Sequence, residues 1–229
     1  MEFIMDNQQS EKDFRQILKE IPQFKNGELV RQMQELGVEF KHNYGVSLPA
    51  LKKISESYIR DHVLALKLWN KQWRETMILA TMLDEREKVT EEQVDYWLRS
   101  ANSVELAGCM CQYLLPDLPF SYAKAFEWCR GKKFIVKYAG VMLVGRLALV
   151  DKDAIDDMFE PFFEMLIPLA KDTNMHRPLF DALTKMARRS KELRNTVIYH
   201  CEGIGSSTTN EDCIAFMGEV LDFLFSHDL

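Results

Sequence analysis

Apolar residues return at three- and four-residue intervals along almost all of this chain, and that spacing leaves little room for any fold but a helical one. Trp69, Trp73, Met77 and Ala80 recur in this way, as do Val94, Trp97 and Leu98. No convincing strand alternates apolar and polar residues, and no hairpin turn joins two such strands. Start signals are frequent. Ser47 precedes Pro49 at an expected first turn, Thr90 with Gln93 reads as a capping box, and Asp153 stands before a run holding Ile155, Met158, Phe159 and Phe162. Helices are predicted over residues 10–20, 27–36, 48–60, 62–70, 73–84, 90–100, 103–115, 119–130, 134–149, 153–170, 176–189, 191–203 and 210–227. Pro168 falls inside one of them and is expected to kink or break it. The short connections favour antiparallel helix pairs. Residues 203–211 are the one small, polar stretch, read as a loop before a terminal helix.

With 229 residues, 47% of them apolar, and only ten glycines and seven prolines, the chain has the material for one sizeable core or a short stack of helical repeats. No apolar run approaches the roughly 20 residues that span a bilayer. Met1–Gln9 has neither the basic nor the apolar region of a secretion signal. Five cysteines without framework spacing point to a reduced, cytoplasmic setting. A net charge of −6 does not favour a phosphate-gripping protein, so the distribution of charge matters more than its sum.

Several segments, in this order and spacing, carry a resemblance: GVSLPALKKI at 45–54, WNKQWRETMILATML at 69–83, VTEEQVDYW at 89–97, PFSYAKAFEW at 119–128 and FIVKYAG at 134–140. The chain resembles the DNA alkylation repair family, the HEAT-like-repeat glycosylases that remove alkylated purines. The resemblance implies an all-α fold: an α-α superhelix of stacked antiparallel helix pairs in a single domain, 1–229. Residues 1–44 would form N-terminal capping helices and 210–229 a C-terminal capping helix.

It also implies where chemistry should lie. Breaking a glycosidic bond builds cationic character on the sugar, which a nearby carboxylate stabilises. Aromatic rings beside it contribute cation–π attraction of about 0.5–2 kcal/mol. In the family, the stretch matching SANSVELAGCMC (100–111) carries a Trp and, four residues later, the catalytic Asp; those positions read Val104 and Gly108 here. A second Trp position falls near Phe180 and Asp181, and a customary basic position falls in the segment holding Lys137 and Tyr138. Two carboxylates are candidates to replace the lost Asp. Glu105 lies about one helical turn before Gly108, although it also fits an acid in a helix's first turn after Asn102 or Ser103. Asp181 is the other.

The basic residues are the stronger lead. Lys185, Arg188, Arg189, Lys191 and Arg194 cluster with only Glu192 opposing; Arg130, Lys132, Lys133 and Lys137 form a second group, and Lys52, Lys53 and Arg60 a third. At equivalent ends of successive helices they would line one concave groove and track a duplex backbone without reading bases. The plain alternative is a set of solvated helix faces. Asp151, Asp153, Asp156, Asp157, Glu160 and Glu164 crowd one segment, which suits an outward, convex face. All four tryptophans read as core, and Tyr58, Tyr113 and Tyr138 as hydroxyls for a groove. Cys109 and Cys111 with His176 or His200 lack usual zinc spacing and read as core thiols. No phosphate-cradling loop is present, and no cofactor or metal is expected.

The reading is therefore a protein that binds double-stranded DNA, alkylated or structurally unusual, with its base-excision activity in doubt and no membrane association. The alternatives are a protein-interaction scaffold without enzymatic activity and an active alkylpurine glycosylase using Glu105 or Asp181.

Overall fold

The structure, a computed structural model, describes residues 8–38 and 40–227. The first seven residues of the Met1–Gln9 segment lie outside those described. Among the described residues, regular structure is helical throughout, with fourteen α-helices, five short 3-10 turns and one isolated backbone bridge between His42 and Trp73. The contacts divide the chain into two compact units, Met1–Leu114 and Leu115–Leu229. No described helix is long and apolar enough to cross a membrane.

The first unit holds α1 (Gln8–Glu20), α2 (Gly27–Glu35), α3 (Leu48–Ser55), α4 (His62–Lys71), α5 (Arg74–Leu83), α6 (Glu91–Ser100) and α7 (Val104–Tyr113). α5 is its axis, with every residue buried. The helix α4 runs antiparallel to it: Asp61 N–H, at the start of α4, donates to the Leu83 carbonyl at the end of α5 across 2.8 Å. Each fully buried Leu or Ile of this core contributes about 1.5–3 kcal/mol relative to exposure. Caps match the sequence signals. Ser47 Oγ accepts from Ala50 N–H at 3.4 Å and Thr90 Oγ1 from Gln93 N–H at 3.2 Å. The Thr90 box is only half made, because the Gln93 side chain donates instead to buried Asp84 at 2.6 Å.

The helix boundary predicted between residues 70 and 73 is present, and only the placement of Trp73 departs from its sequence reading. α4 ends at Lys71 and Gln72 turns left-handed, with φ of 59°, before α5 begins at Arg74. Trp69 and Trp73 therefore do not share a helix. Trp69, Trp97 and Trp128 are buried as expected, whereas Trp73 lies half-buried outside the core.

The second unit holds α8 (Ser121–Cys129), α9 (Phe134–Val150), α10 (Glu160–Phe163), α11 (Leu166–Ala170), α12 (His176–Ala187), α13 (Lys191–Ser207) and α14 (Glu211–Ser226). Three contacts set its directions. The Tyr122 hydroxyl, at the start of α8, donates to Asp151 past the end of α9 at 3.1 Å, so α8 and α9 are antiparallel. Arg194, early in α13, donates to the Leu224 carbonyl at the end of α14 at 2.5 Å, so that pair is antiparallel too. Lys137, early in α9, meets Asp172 just before α12, and Arg189, just after α12, reaches the Ala148 carbonyl late in α9 at 3.2 Å, so α9 and α12 run side by side in the same direction.

Glycines permit the close approach of these helices. A Cβ at Gly140 would stand 2.5 Å from Cys129 N and 2.7 Å from the Ala125 carbonyl oxygen of α8, and one at Gly145 would stand 2.9 Å from Ala182 Cα of α12. The helix predicted over 153–170 is broken into a 3-10 turn at Asp156–Phe159 and the short α10 and α11. Pro161 opens α10 and Pro168 sits in the first turn of α11, where a missing N–H costs nothing in hydrogen bonding. Asp153 is not the cap; the Asp151 carboxylate accepts from Asp153 N–H and Ala154 N–H at 3.3 and 3.1 Å. The polar stretch at 203–211 is also not a long loop. α13 runs through it to Ser207, leaving only a short connection to α14.

Candidate nucleic-acid interface

In the first unit, α7 begins where the sequence places its chemistry. Ser103 caps it, its hydroxyl accepting from Leu106 N–H at 3.3 Å. Leu106, Ala107, Cys109, Met110 and Cys111 face the core, Gly108 is half-buried and Val104 is exposed at 42%. Glu105, in the first turn, is tied to Arg74 at the head of α5. Arg74 Nε donates to Oε2 at 2.7 Å and Nη2 to Oε1 at 2.5 Å.

Arg74 is only 1% exposed, and its remaining donor, Nη1, serves the Val46 carbonyl at 2.9 Å and Glu75 Oε1 at 3.1 Å. Burial pulls against its charge, yet the hydrogen bonds and charges of Glu105 and Glu75 prevail, and the guanidinium is held above its ordinary pKa. Glu105 thus reaches the surface as half of an ion pair, with both oxygens engaged. A pair presents far less charge to a nascent sugar cation than a lone carboxylate does.

Beside this segment lies a small depression of about 180 Å³, lined by Phe40, Lys41, Trp69, Gln72, Met77, Ser100 and Asn102. Its inner wall is rigid: Trp69 stacks flat on Trp97 at 4.2 Å and its indole N–H donates to Ser100 Oγ at 3.2 Å.

The second unit carries the other site residues expected from the sequence. Asp181, on α12, is paired with Lys185 at 2.5 Å and its side chain is 46% exposed. Lys137 is paired with Asp172, and that hydrogen bond holds the Asp172 carboxyl below the usual carboxylate range despite partial burial. Tyr138 is half-buried, its ring 5.9 Å from Phe134. Lys132 and Lys133 stand exposed at the head of α9. Tyr58, in the first unit, spends its hydroxyl on Glu20 at 2.9 Å.

The turn between α12 and α13 separates its cations into two kinds. Arg188 and Lys191 are exposed. Arg189 is turned inward: Nε donates to Asp156 at 3.0 Å, the Nη atoms donate to the carbonyls of Ala148, Asp151 and Ala154, and the guanidinium lies 5.3 Å from the Phe159 ring centre. Arg194 serves the carbonyls ending α14, Leu224 at 2.5 Å and His227 at 3.0 Å. Arg189 holds the fold and has few donors left for a phosphate, whereas Arg194 commits only Nη2 to the end of α14. The turn forms a depression of about 520 Å³ lined by Arg188, Arg189, Lys191, Arg194 and their neighbours. The acidic stretch lies against this same turn through Asp156, which also accepts from the Ser190 hydroxyl. The two basic groups are not adjacent, since Lys132 and Lys133 lie at the head of α9 and Arg189 is bound to its tail.

Sequence reasoning missed Arg74 and Glu75, which follow Asn70, Lys71 and Gln72 in a polar stretch and so carry no local mark of burial. The thiols of Cys109, Cys129 and Cys201 are pushed up to about 12, chiefly by burial. Among the described residues, no group of three His, Cys, Asp or Glu side chains lies close enough to hold a metal. These cysteines are expected to resist iodoacetamide in the native protein at mildly alkaline pH while reacting fully once denatured. Rapid native labelling of Cys109 would show that α7 opens.

A family profile described as DNA alkylation repair enzyme matches residues 17–174. No curated protein matches the chain. One solved structure is similar over 92% of this chain and 94% of its own, with a TM-score of 0.70 and 17% identity. It is described as a new family of proteins related to the HEAT-like repeat DNA glycosylases with affinity for branched DNA structures. The helix pairs of both units accord with that HEAT-like repeat fold. With the profile covering well over half of its length, the chain belongs to the DNA alkylation repair enzyme family.

Proposed function

We propose that this protein holds double-stranded DNA through its phosphate backbone and does not excise bases. The observation that carries the binding reading is the depression between α12 and α13, where Arg188 and Lys191 project into solvent. Exposed cations of this kind bind phosphates by displacing counterions, without base readout. Lys132 and Lys133 offer a second contact at the far end of α9. Family membership supports DNA as the polyanion, and the similar structure belongs to a protein described as having affinity for branched DNA.

Against excision stand the exposed Val104, the empty side chain at Gly108 and the neutralising Arg74 at Glu105. Asp181 is likewise engaged, by Lys185.

A duplex titration at two salt concentrations tests the reading. Affinity should fall steeply with salt, and Arg188→Glu with Lys191→Glu should weaken binding at least tenfold. Neutralising the same sites as Arg188→Gln with Lys191→Gln should lower the salt slope by about two. Unchanged binding in the charge-reversed protein would remove this site from the interface. No binding by the parent at either salt would favour the scaffold alternative. A base-release assay on DNA carrying 7-methylguanine, run in parallel, should show no release; release that disappears in Glu105→Gln would restore an enzyme.

A further inference from the structure

Beyond the backbone contacts, we propose that the first unit carries a stacking site for an unpaired nucleobase, built on Trp73, His42 and Tyr44 and flanked by Lys41 and Lys71. The inference rests on the DNA-binding reading and adds a base-contacting site to it.

Trp73 is the tryptophan that leaves the core. The left-handed Gln72 ends α4 and throws the following indole to the surface, where it is half-buried. Two further rings gather on it, Tyr44 at 5.2 Å and His42 at 5.6 Å, both tilted by nearly 60°. The Lys71 ammonium lies 4.9 Å from the Trp73 ring centre, and Lys41 and His42 are exposed alongside. A surface cluster of rings interleaved with cations suits a single nucleic-acid strand. Bases stack on the π-faces whatever their identity, while the cations neutralise adjacent phosphates. The long Lys71 stem lets its ammonium move from the ring to a phosphate as a base arrives.

The platform is also pre-ordered. Arg74 N–H donates to the His42 carbonyl at 3.0 Å, and Tyr44 N–H and Val46 N–H both donate to the buried Glu75 carboxylate at 3.1 and 3.2 Å. The loop carrying His42 and Tyr44 is thereby fixed to the head of α5, so few rotamers and no loop need be ordered on binding. A solvated surface cluster would not require such a tether. A protein docking face would be expected to expose aliphatic side chains here, where the neighbours are lysines and a glutamine.

The test compares three DNAs by fluorescence anisotropy: a blunt duplex, the same duplex with an unpaired thymidine tail, and the single-stranded tail alone. The parent should prefer the tailed duplex over the blunt one by about tenfold, the size of one well-stacked base. Its tryptophan emission should be quenched by the tail alone, because Trp73 is the accessible indole. Trp73→Leu should abolish both the preference and the quenching while leaving blunt-duplex affinity unchanged. His42→Ala and Lys71→Ala, at surface positions, should each reduce the preference if Trp73→Leu proves unstable. Equal affinity of the parent for blunt and tailed duplex, or a preference that survives Trp73→Leu, overturns the platform and leaves the backbone site standing. Loss of blunt-duplex binding in the parent, with tail binding and quenching retained, overturns the backbone site and supports the platform.

Discussion

Replacing Arg74 by Met is expected to cost about 3–5 kcal/mol of stability, among the largest single effects in this molecule. The guanidinium is buried, joins α5 to α7 through Glu105 and borders Glu75, whose Oε1 also pins the 44–46 loop. Its loss leaves buried Glu75 in low dielectric and partly exposed Glu105 both without this counter-charge, and such stranding costs more than the pair itself was worth. Urea denaturation followed by circular dichroism should show a much lower midpoint. Glu105→Gln, which strands the cation only partly because Glu75 remains, should cost less. Arg74→Met with Glu105→Met should recover part of the single-variant loss, as expected for coupled residues. A midpoint for Arg74→Met within experimental error of the parent would show that the pair does not hold the two helices together.

Gly140→Val is the second large effect, expected at about 3 kcal/mol, the upper end for overpacking a tight interface. The new Cβ would meet Cys129 N and the Ala125 carbonyl at 2.5 and 2.7 Å, and both are backbone atoms that cannot swing aside. The helices would have to separate, withdrawing Val141 and Val144 from their places in the core. At 2–4 °C per kcal/mol, the melting temperature should fall by roughly 6–12 °C. Gly203, in the exposed part of α13, supplies the contrast: nothing lies within 4 Å of an added Cβ, so Gly203→Ala should raise stability by about 0.5–1 kcal/mol. Equal melting temperatures for parent and Gly140→Val would mean that α8 and α9 pack less closely than described.

Helix existence was legible in this sequence because amphipathic spacing and side-chain caps such as Ser47 and Thr90 are local. What failed to read was set by tertiary contact. The 69–84 run keeps its spacing across a left-handed residue, so Trp73 looked like core when its backbone had already turned away. The 203–207 segment looked like a loop because glycine and serine are poor helix formers, yet Cys201 and Ile204 are buried and carry the helix through it. The same limit applied to charge. Arg188 and Arg189 are neighbours of identical type, but one faces water and the other holds the 148–156 segment together through four acceptors. Side-chain direction at a helix end is decided by which carbonyls are left without partners, and those belong to distant residues.

The length of α9 has a consequence for how any long polyanion would lie on the second unit. Its 17 residues form a stiff rod of about 25 Å, with Lys132 and Lys133 at one end and the Arg188 turn fastened to the other. One turn of B-form duplex advances about 34 Å. The rod is therefore a gauge: if both ends bind one duplex, it sets how far apart along the backbone they hold it. Lengthening it by a turn would alter that gauge without touching a single cation.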